Sequence, residues 1–93
     1  MYNDMKVKLK NIEIFDAIQF IDIDSGNEIL HLLSPLCDFV TLDINKGIIY
    51  IDRPYTAITL NLNSWLVMDT KDGQIIKFEI YSDERFKEMY CEI

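Results

Sequence analysis

From Phe39 onward, apolar residues return at every second position in short blocks separated by turn residues. That spacing belongs to strands with one buried face, and it limits the chain to a strand-rich fold. Val40, Leu42 and Ile44 share one face, and Asn45-Lys46-Gly47 forms a turn. Ile49 and Ile51 lead to Arg53-Pro54, where proline ends the ladder. Ile58, Leu60 and Leu62 alternate with Thr59, Asn61 and Asn63, and Trp65 and Val67 follow a corner at Asn63-Ser64. Lys71-Asp72-Gly73-Gln74 is a hairpin turn, because Asp-Gly accepts positive φ. Ile76, Phe78 and Ile80 then point inward, opposite Lys77, Glu79 and Tyr81.

The N-terminal part begins the same way. Lys6-Val7-Lys8-Leu9-Lys10 alternates polar and apolar, and Ile12, Ile14, Ile18 and Phe20 continue at period two with Glu13 and Gln19 opposite. Asp16 falls on the apolar face and marks an expected bulge. Ser25 and Glu28 fit a capping box, opening a short amphipathic helix through Ile29, Leu30, Leu32 and Leu33 that Pro35 stops. Ser82 caps a second helix with Asp83 and Glu84 in its first turn, and Phe86, Met89 and Tyr90 form its buried stripe. The order is β-β-α-β-β-β-β-β-α with short connections, so neighbouring strands pair antiparallel. The expected fold is α+β: a bent antiparallel sheet or half-barrel of about six to seven strands, with two short helices near 25–34 and 82–90. Trp65, Phe78, Phe86 and Tyr90 are expected to pack together.

The chain has 93 residues and a mass of 11.0 kDa, which fits a single domain over 1–93. Hydrophobic residues make up 49% and charged residues 27%, a globular balance that argues against disorder. No apolar run approaches the ~18 residues of a membrane span, and the N-terminus shows no apolar signal region. The expected compartment is the cytoplasm, with Cys37 and Cys91 as reduced thiols. Residues 1–10 carry a net +2 and residues 11–93 a net −9, which together give −7. A body that acidic disfavours direct nucleic-acid binding and anionic membranes, and favours a protein partner with a basic surface.

No catalytic signature is present, and no catalytic residue is assigned. Asp22-Ile23-Asp24-Ser25-Gly26-Asn27 has the look of a calcium loop, but Asn27 stands where such a loop needs Gly and Leu33 where it needs Glu. His31 is the only histidine and has no motif partner for catalysis. Cys37 and Cys91 lie 54 positions apart without a C-x-x-C, so zinc is unsupported. No metal or cofactor is therefore expected. The partner-binding candidates are an acidic face of Asp69, Asp72, Asp83, Glu84 and Glu88 and, as an alternative, Tyr50, Arg53 and Tyr55, because Tyr and Arg dominate interface hot spots. Trp65 is read as core.

Three segments carry a resemblance. They are Ile14-Phe15-Asp16-Ala17-Ile18-Gln19-Phe20, then Asn63-Ser64-Trp65-Leu66-Val67 with the Asp72-Gly73 turn, then Ser82 to Tyr90. The chain resembles a family of small phage- and prophage-encoded proteins of unknown function. These have a Val-Glu-Ala-Val-Gln-Trp-like strand, a Gly-Asp-Trp-Ile-Val segment before a Gly hairpin, and a Phe-x-x-x-Tyr helix. The chain departs from the pattern at Asn63-Ser64, where the family has Gly-Asp, and in the central strands. The resemblance implies a phage accessory protein acting inside a bacterial host cell, and it brings no catalytic residues. The leading functional expectation is a non-enzymatic inhibitor of a host protein, such as a nucleic-acid-handling defence protein of the CRISPR type. A small-molecule-binding or sequestering module, and a phage morphogenesis protein that works by oligomerising, are the alternatives, and a homodimer is compatible with each reading.

Overall fold

The computed structural model describes residues 4–9, 14–53 and 55–92. The expectations placed on Lys10, Ile12, Glu13 and Pro54 lie outside them. The order is β1 (Asp4–Leu9), β2 (Ile14–Gln19), α1 (Ile23–Leu33), β3 (Phe39–Asp43), β4 (Ile48–Arg53), β5 (Thr56–Asn61), β6 (Trp65–Lys71), β7 (Gln74–Tyr81), α2 (Asp83–Met89) and β8 (Tyr90–Glu92). The fold is α+β, with the strands in two antiparallel sheets. One has five strands in the order β7-β6-β2-β1-β8, and the other three in the order β3-β4-β5. Among the described residues no helix is long and apolar enough to cross a membrane.

Period-two patterning gives the five-stranded sheet two buried faces. On one, Ile18 and Phe20 of the β2 segment, Leu66 and Met68 of β6 and Phe78 of β7 meet Ile29 and Leu33 of α1 and Ile49, Ile51 and Leu60 of the three-stranded sheet. On the other, Val7, Ala17, Trp65 and Val67 meet Phe86 and Tyr90 of the C-terminal segment. Trp65 stacks on Phe86 at 3.8 Å between ring centroids, Phe86 stacks on Tyr90 at 5.3 Å, and Phe15 meets Tyr90 edge-on at 5.9 Å. Phe78 does not join this group as the sequence led us to expect. It lies opposite Met68 in the ladder while Trp65 lies opposite Tyr81, and the odd separation puts Phe78 on the other face.

Helix α1 starts earlier than Ser25. Asp22 is its N-cap and accepts from the Ser25 amide at 2.8 Å, while the Ser25 hydroxyl takes the reciprocal bond from the Asp22 amide at 3.0 Å. The capping box is real but sits three residues upstream, and Glu28 has no part in it. The one glycine of α1 explains how close the helix comes to the sheet. A Cβ at Gly26 would stand 2.9 Å from the Phe20 ring and 3.0 Å from Leu42, so only glycine allows this approach. Asp16 marks no bulge. β2 keeps register through it against both Lys6 and Met68, and its carboxylate pairs with the Lys6 ammonium at 2.6 Å and accepts from the Thr70 hydroxyl at 3.0 Å. The register shift instead falls at Asp69/Thr70, toward the tip of the β6–β7 hairpin.

The corner between the two sheets rests on Asn63. Its φ is +75°, its amide donates to the Phe20 carbonyl at 2.6 Å, and the Phe20 amide donates to the Ser64 carbonyl at 2.9 Å. Positive φ is more accessible to Asn than to most other non-glycine residues, which suits Asn63 to this corner. At the hairpin tip, Asp72 and Gly73 have φ of +54° and +78°, as the Asp-Gly turn requires.

Candidate functional site

The five acids of the expected acidic face do not form one uniform surface. Trp65 pairs with Tyr81 at the base of the β6–β7 hairpin and Lys71 with Gln74 at its tip. Asp72 at the tip is therefore separated from Asp83, just past the base, by about 20 Å of strand. Asp69 lies opposite Lys77 on the neighbouring strand. Glu84 and Glu88 are exposed on α2, but Arg85 and Lys87 lie among them. Opposite charges interleave along this side of the molecule, which weakens its field at the distance where a partner is first attracted.

Asp83 is tied into the fold. Its Oδ1 accepts from the Trp65 indole Nε1 at 2.9 Å and from the Gln19 amide at 3.4 Å, and its Oδ2 meets the Lys87 ammonium at 2.9 Å. The Trp65 bond, supported by Lys87, holds its carboxyl below the ordinary carboxylate value of 3.8. The ionised form therefore ties the start of α2 to Trp65. This contribution is complete above the ordinary carboxylate range and fades as pH falls through the lowered value. The expected result is an acid-side change in Trp65 emission below about pH 4, before global unfolding, which Asp83→Asn removes. Identical titrations of the two proteins would contradict it.

Asp22 and Asp24 gather no calcium-loop geometry. The Asp22 carboxylate is engaged as the α1 cap, and its bonds from the Ser25 amide and hydroxyl hold it below the ordinary value. Among the described residues no three His, Cys, Asp or Glu side chains stand close enough together to hold a metal ion. Cys37 is half-buried against the first core, and burial pushes its thiol up, whereas Cys91 is exposed on β8. His31 is exposed on the last turn of α1 and borders an open groove of about 370 Å³ with Leu32, Pro35, Leu36, Gln74 and Ile75.

The three-stranded sheet offers a different surface. Val40, Leu42, Ile49, Ile51, Ile58 and Leu60 turn inward, so its outer face carries Phe39, Thr41 and Asp43 of β3, Ile48, Tyr50 and Asp52 of β4, and Ala57, Thr59 and Asn61 of β5. Phe39 lies opposite Asp52 and Tyr50 opposite Thr41, which makes Phe39 and Tyr50 diagonal neighbours. Phe39 is 58% exposed, Tyr50 40% and Tyr55 107%. Tyr55 connects β4 to β5 with φ +71°, at the same end of the sheet as Phe39. Positive φ is uncommon for a bulky aromatic residue, and here it holds the ring fully in solvent.

Charge on this face has one sign. The nine outer positions include Asp43 and Asp52 and no Lys or Arg. From α1 through β5, Asp22, Asp24, Glu28, Asp38, Asp43 and Asp52 stand against Lys46 and Arg53 alone. Arg53 does not belong to the outer face. It shares the parity of Ile49 and Ile51, and its guanidinium lies 4.9 Å from the centre of the Phe78 ring, covering the edge of the first core. Of the alternative candidates, Tyr50 lies on the outer face, Tyr55 stands exposed in the turn at one end of the sheet, and Arg53 is held on the inner side. Phe39 was missed because its position at the start of β3 could not be assigned a face before the strand boundary was known.

Comparison with known protein families, with characterised proteins and with solved structures finds no match for this chain.

Proposed function

We propose that the protein is a non-enzymatic binding module that docks a basic protein surface through the outer face of the three-stranded sheet. The observation that carries the reading is the combination on one face of two exposed aromatic rings, Phe39 and Tyr50, with Asp43 and Asp52 and no basic side chain, and a third exposed ring, Tyr55, in the turn at one end of the same sheet. Aromatic anchors supply hot-spot area at low entropic cost, and a one-signed field steers a partner of opposite sign. The resemblance to phage accessory proteins favours a bacterial host protein that handles nucleic acid, since its substrate channel presents a basic surface. On this reading the chain works as an inhibitor in the host cytoplasm.

The test uses the immobilised protein and the heparin-retained fraction of a bacterial lysate, which is enriched in proteins with basic surfaces. A photo-crosslinking residue is placed in turn at position 50, 55 or 88. Crosslinks are expected from 50 and 55, weakening with salt, and their yield is expected to fall at least tenfold when Tyr50→Ala is added to the position-55 protein. Crosslinks from position 88 alone, or none from any position, would overturn the reading.

A second reading has its own observation. The groove beside His31 has about 370 Å³, near the lower end of small-molecule sites, and an apolar wall with His31 and Gln74 as polar groups. It supports a ligand-sequestering role, and amide shift changes confined to Leu32, Leu36 and Ile75 on titration with small aromatic solutes would favour it.

A further inference from the structure

Several carboxylates of this chain have a cation at hand. Asp16 pairs with Lys6 at 2.6 Å, Asp83 pairs with Lys87 at 2.9 Å, and Asp69 lies opposite Lys77. Asp52 has none. Among the described residues no ion pair or side-chain hydrogen bond reaches it. It is half-buried, yet neither of its carboxylate oxygens is shut off from solvent. The basic residue next to it, Arg53, turns to the inner side, where its guanidinium lies 4.9 Å from the centre of the Phe78 ring. The Asp38 amide donates to the Asp52 carbonyl at 3.1 Å, which brings a second, exposed acid to this end of the sheet.

The outer-face neighbours of Asp52 are aromatic on two sides. Phe39 lies directly opposite on β3, where facing Cβ atoms stand about 4.5–5.5 Å apart. Tyr50 is two residues back on the same strand and face, about 7 Å away. Tyr55 stands exposed in the turn just beyond. On the β5 side the neighbour is Ala57. The Leu62 amide donates to the Gly47 carbonyl at 2.8 Å, and bonded pairs alternate from there. Asp52 and Ala57 are therefore a pair without mutual bonds, the kind whose side chains stand closest. Only a methyl group stands on that side, so a ligand can reach Asp52 past it and lie against the rings.

We infer that this end of the outer face binds an arginine side chain of its partner, an assignment that rests on the docking reading above. The guanidinium lies over the Phe39 or Tyr50 ring and donates two N–H groups to Asp52. It is planar, it stacks on aromatic faces, and its paired donors match a carboxylate. Charge complementarity gives the sign, since the outer face carries Asp43 and Asp52 and no basic side chain. The half-burial of Asp52 favours guanidinium over ammonium. An ammonium is the more strongly hydrated ion and loses more on leaving water, and lysine has no planar group to lay on a ring.

The test is titration of the full chain with hexa-arginine and with hexa-lysine, two peptides of equal charge, followed by amide NMR shifts. Hexa-arginine is expected to move the amides of Phe39, Tyr50, Asp52 and Ala57, and to bind at least about fivefold more tightly than hexa-lysine. Asp52→Asn and Phe39→Leu are each expected to remove that preference while keeping the native Trp65 emission and melting temperature. Glu88→Gln is expected to leave it in place. Equal affinity for the two peptides, a preference that survives both substitutions, or no shift at these amides overturns the inference. The docking reading is decided separately, by the crosslinks from positions 50 and 55. Such crosslinks together with equal peptide affinities would keep the docking face and strike only its arginine site.

Discussion

Phe86→Ala is expected to cost about 3–5 kcal/mol of folding free energy, the range for deleting a buried phenylalanine ring. Phe86 is buried and lies between Trp65 and Tyr90, stacked on both. It is also the only buried side chain within α2, a helix of seven residues. A helix that short has no independent stability, so its position depends on this ring and on the Ser82 cap, whose hydroxyl accepts from the Arg85 amide at 3.2 Å. Removing the ring leaves a cavity and releases the helix from the sheet together. At about 4–8 °C per kcal/mol for a domain of this size, the loss is large in a thermal melt. Denaturant unfolding followed by Trp65 emission measures it directly. A cost below about 1 kcal/mol would mean that α2 does not hold the second core closed.

That prediction rests on a contact the sequence announced: the i, i+3, i+4 stripe of Phe86, Met89 and Tyr90 behind a serine cap. Local signals of this kind were legible in most of the chain, with exceptions at the α1 cap, which is Asp22, at Asp16, which makes no bulge, and at Ile76, which was expected inward but is 60% exposed beside the register shift. The Asp-Gly hairpin, the period-two strands and the two helices follow from residues within a few positions of one another. What was not legible depends on distant partners. The alternation of Leu60, Leu62, Val67 and Phe78 reads the same whether the strands form one bent sheet or two packed ones. The division was set by β2 pairing with β6, with more than forty positions between them. Phe78 shows the cost of missing it. Its inward direction was correct, but a sheet covered on both faces has two inward directions. β8 was hidden because Tyr90 reads as the end of the helical stripe and only its pairing with Leu9 makes it a strand. The candidate face was half legible. Tyr50 and Tyr55 were visible as residue types suited to an interface, but Phe39 needed the register of β3, and the side of Arg53 needed the parity of β4.

Phe20→Ala is expected to cost a further 3–5 kcal/mol, roughly, and through a separate part of the molecule. Phe20 is fully buried in the first core, against Gly26 of α1, and its backbone bonds both Asn63 and Ser64 at the corner between the sheets. The ring fills the space that a Gly26 side chain would need, so its loss removes the surface on which α1 rests. Neighbouring groups collapse poorly into such a site, because Gly26 has no side chain to move inward. Phe20 and Phe86 sit on opposite faces of the five-stranded sheet and share no partner in either core. Their costs should therefore add, to about 6–10 kcal/mol, which is comparable with the whole stability of a domain this size. The double variant is expected to be unfolded at room temperature, so the independence of the two cores is better read from Phe78→Leu and Phe86→Leu. In that cycle a coupling within about 0.5 kcal/mol is expected, whereas Trp65→Phe with Phe86→Leu, a stacked pair on one face, should couple more strongly. Strong coupling between positions 78 and 86 would join the two faces into one core and contradict the division of the fold.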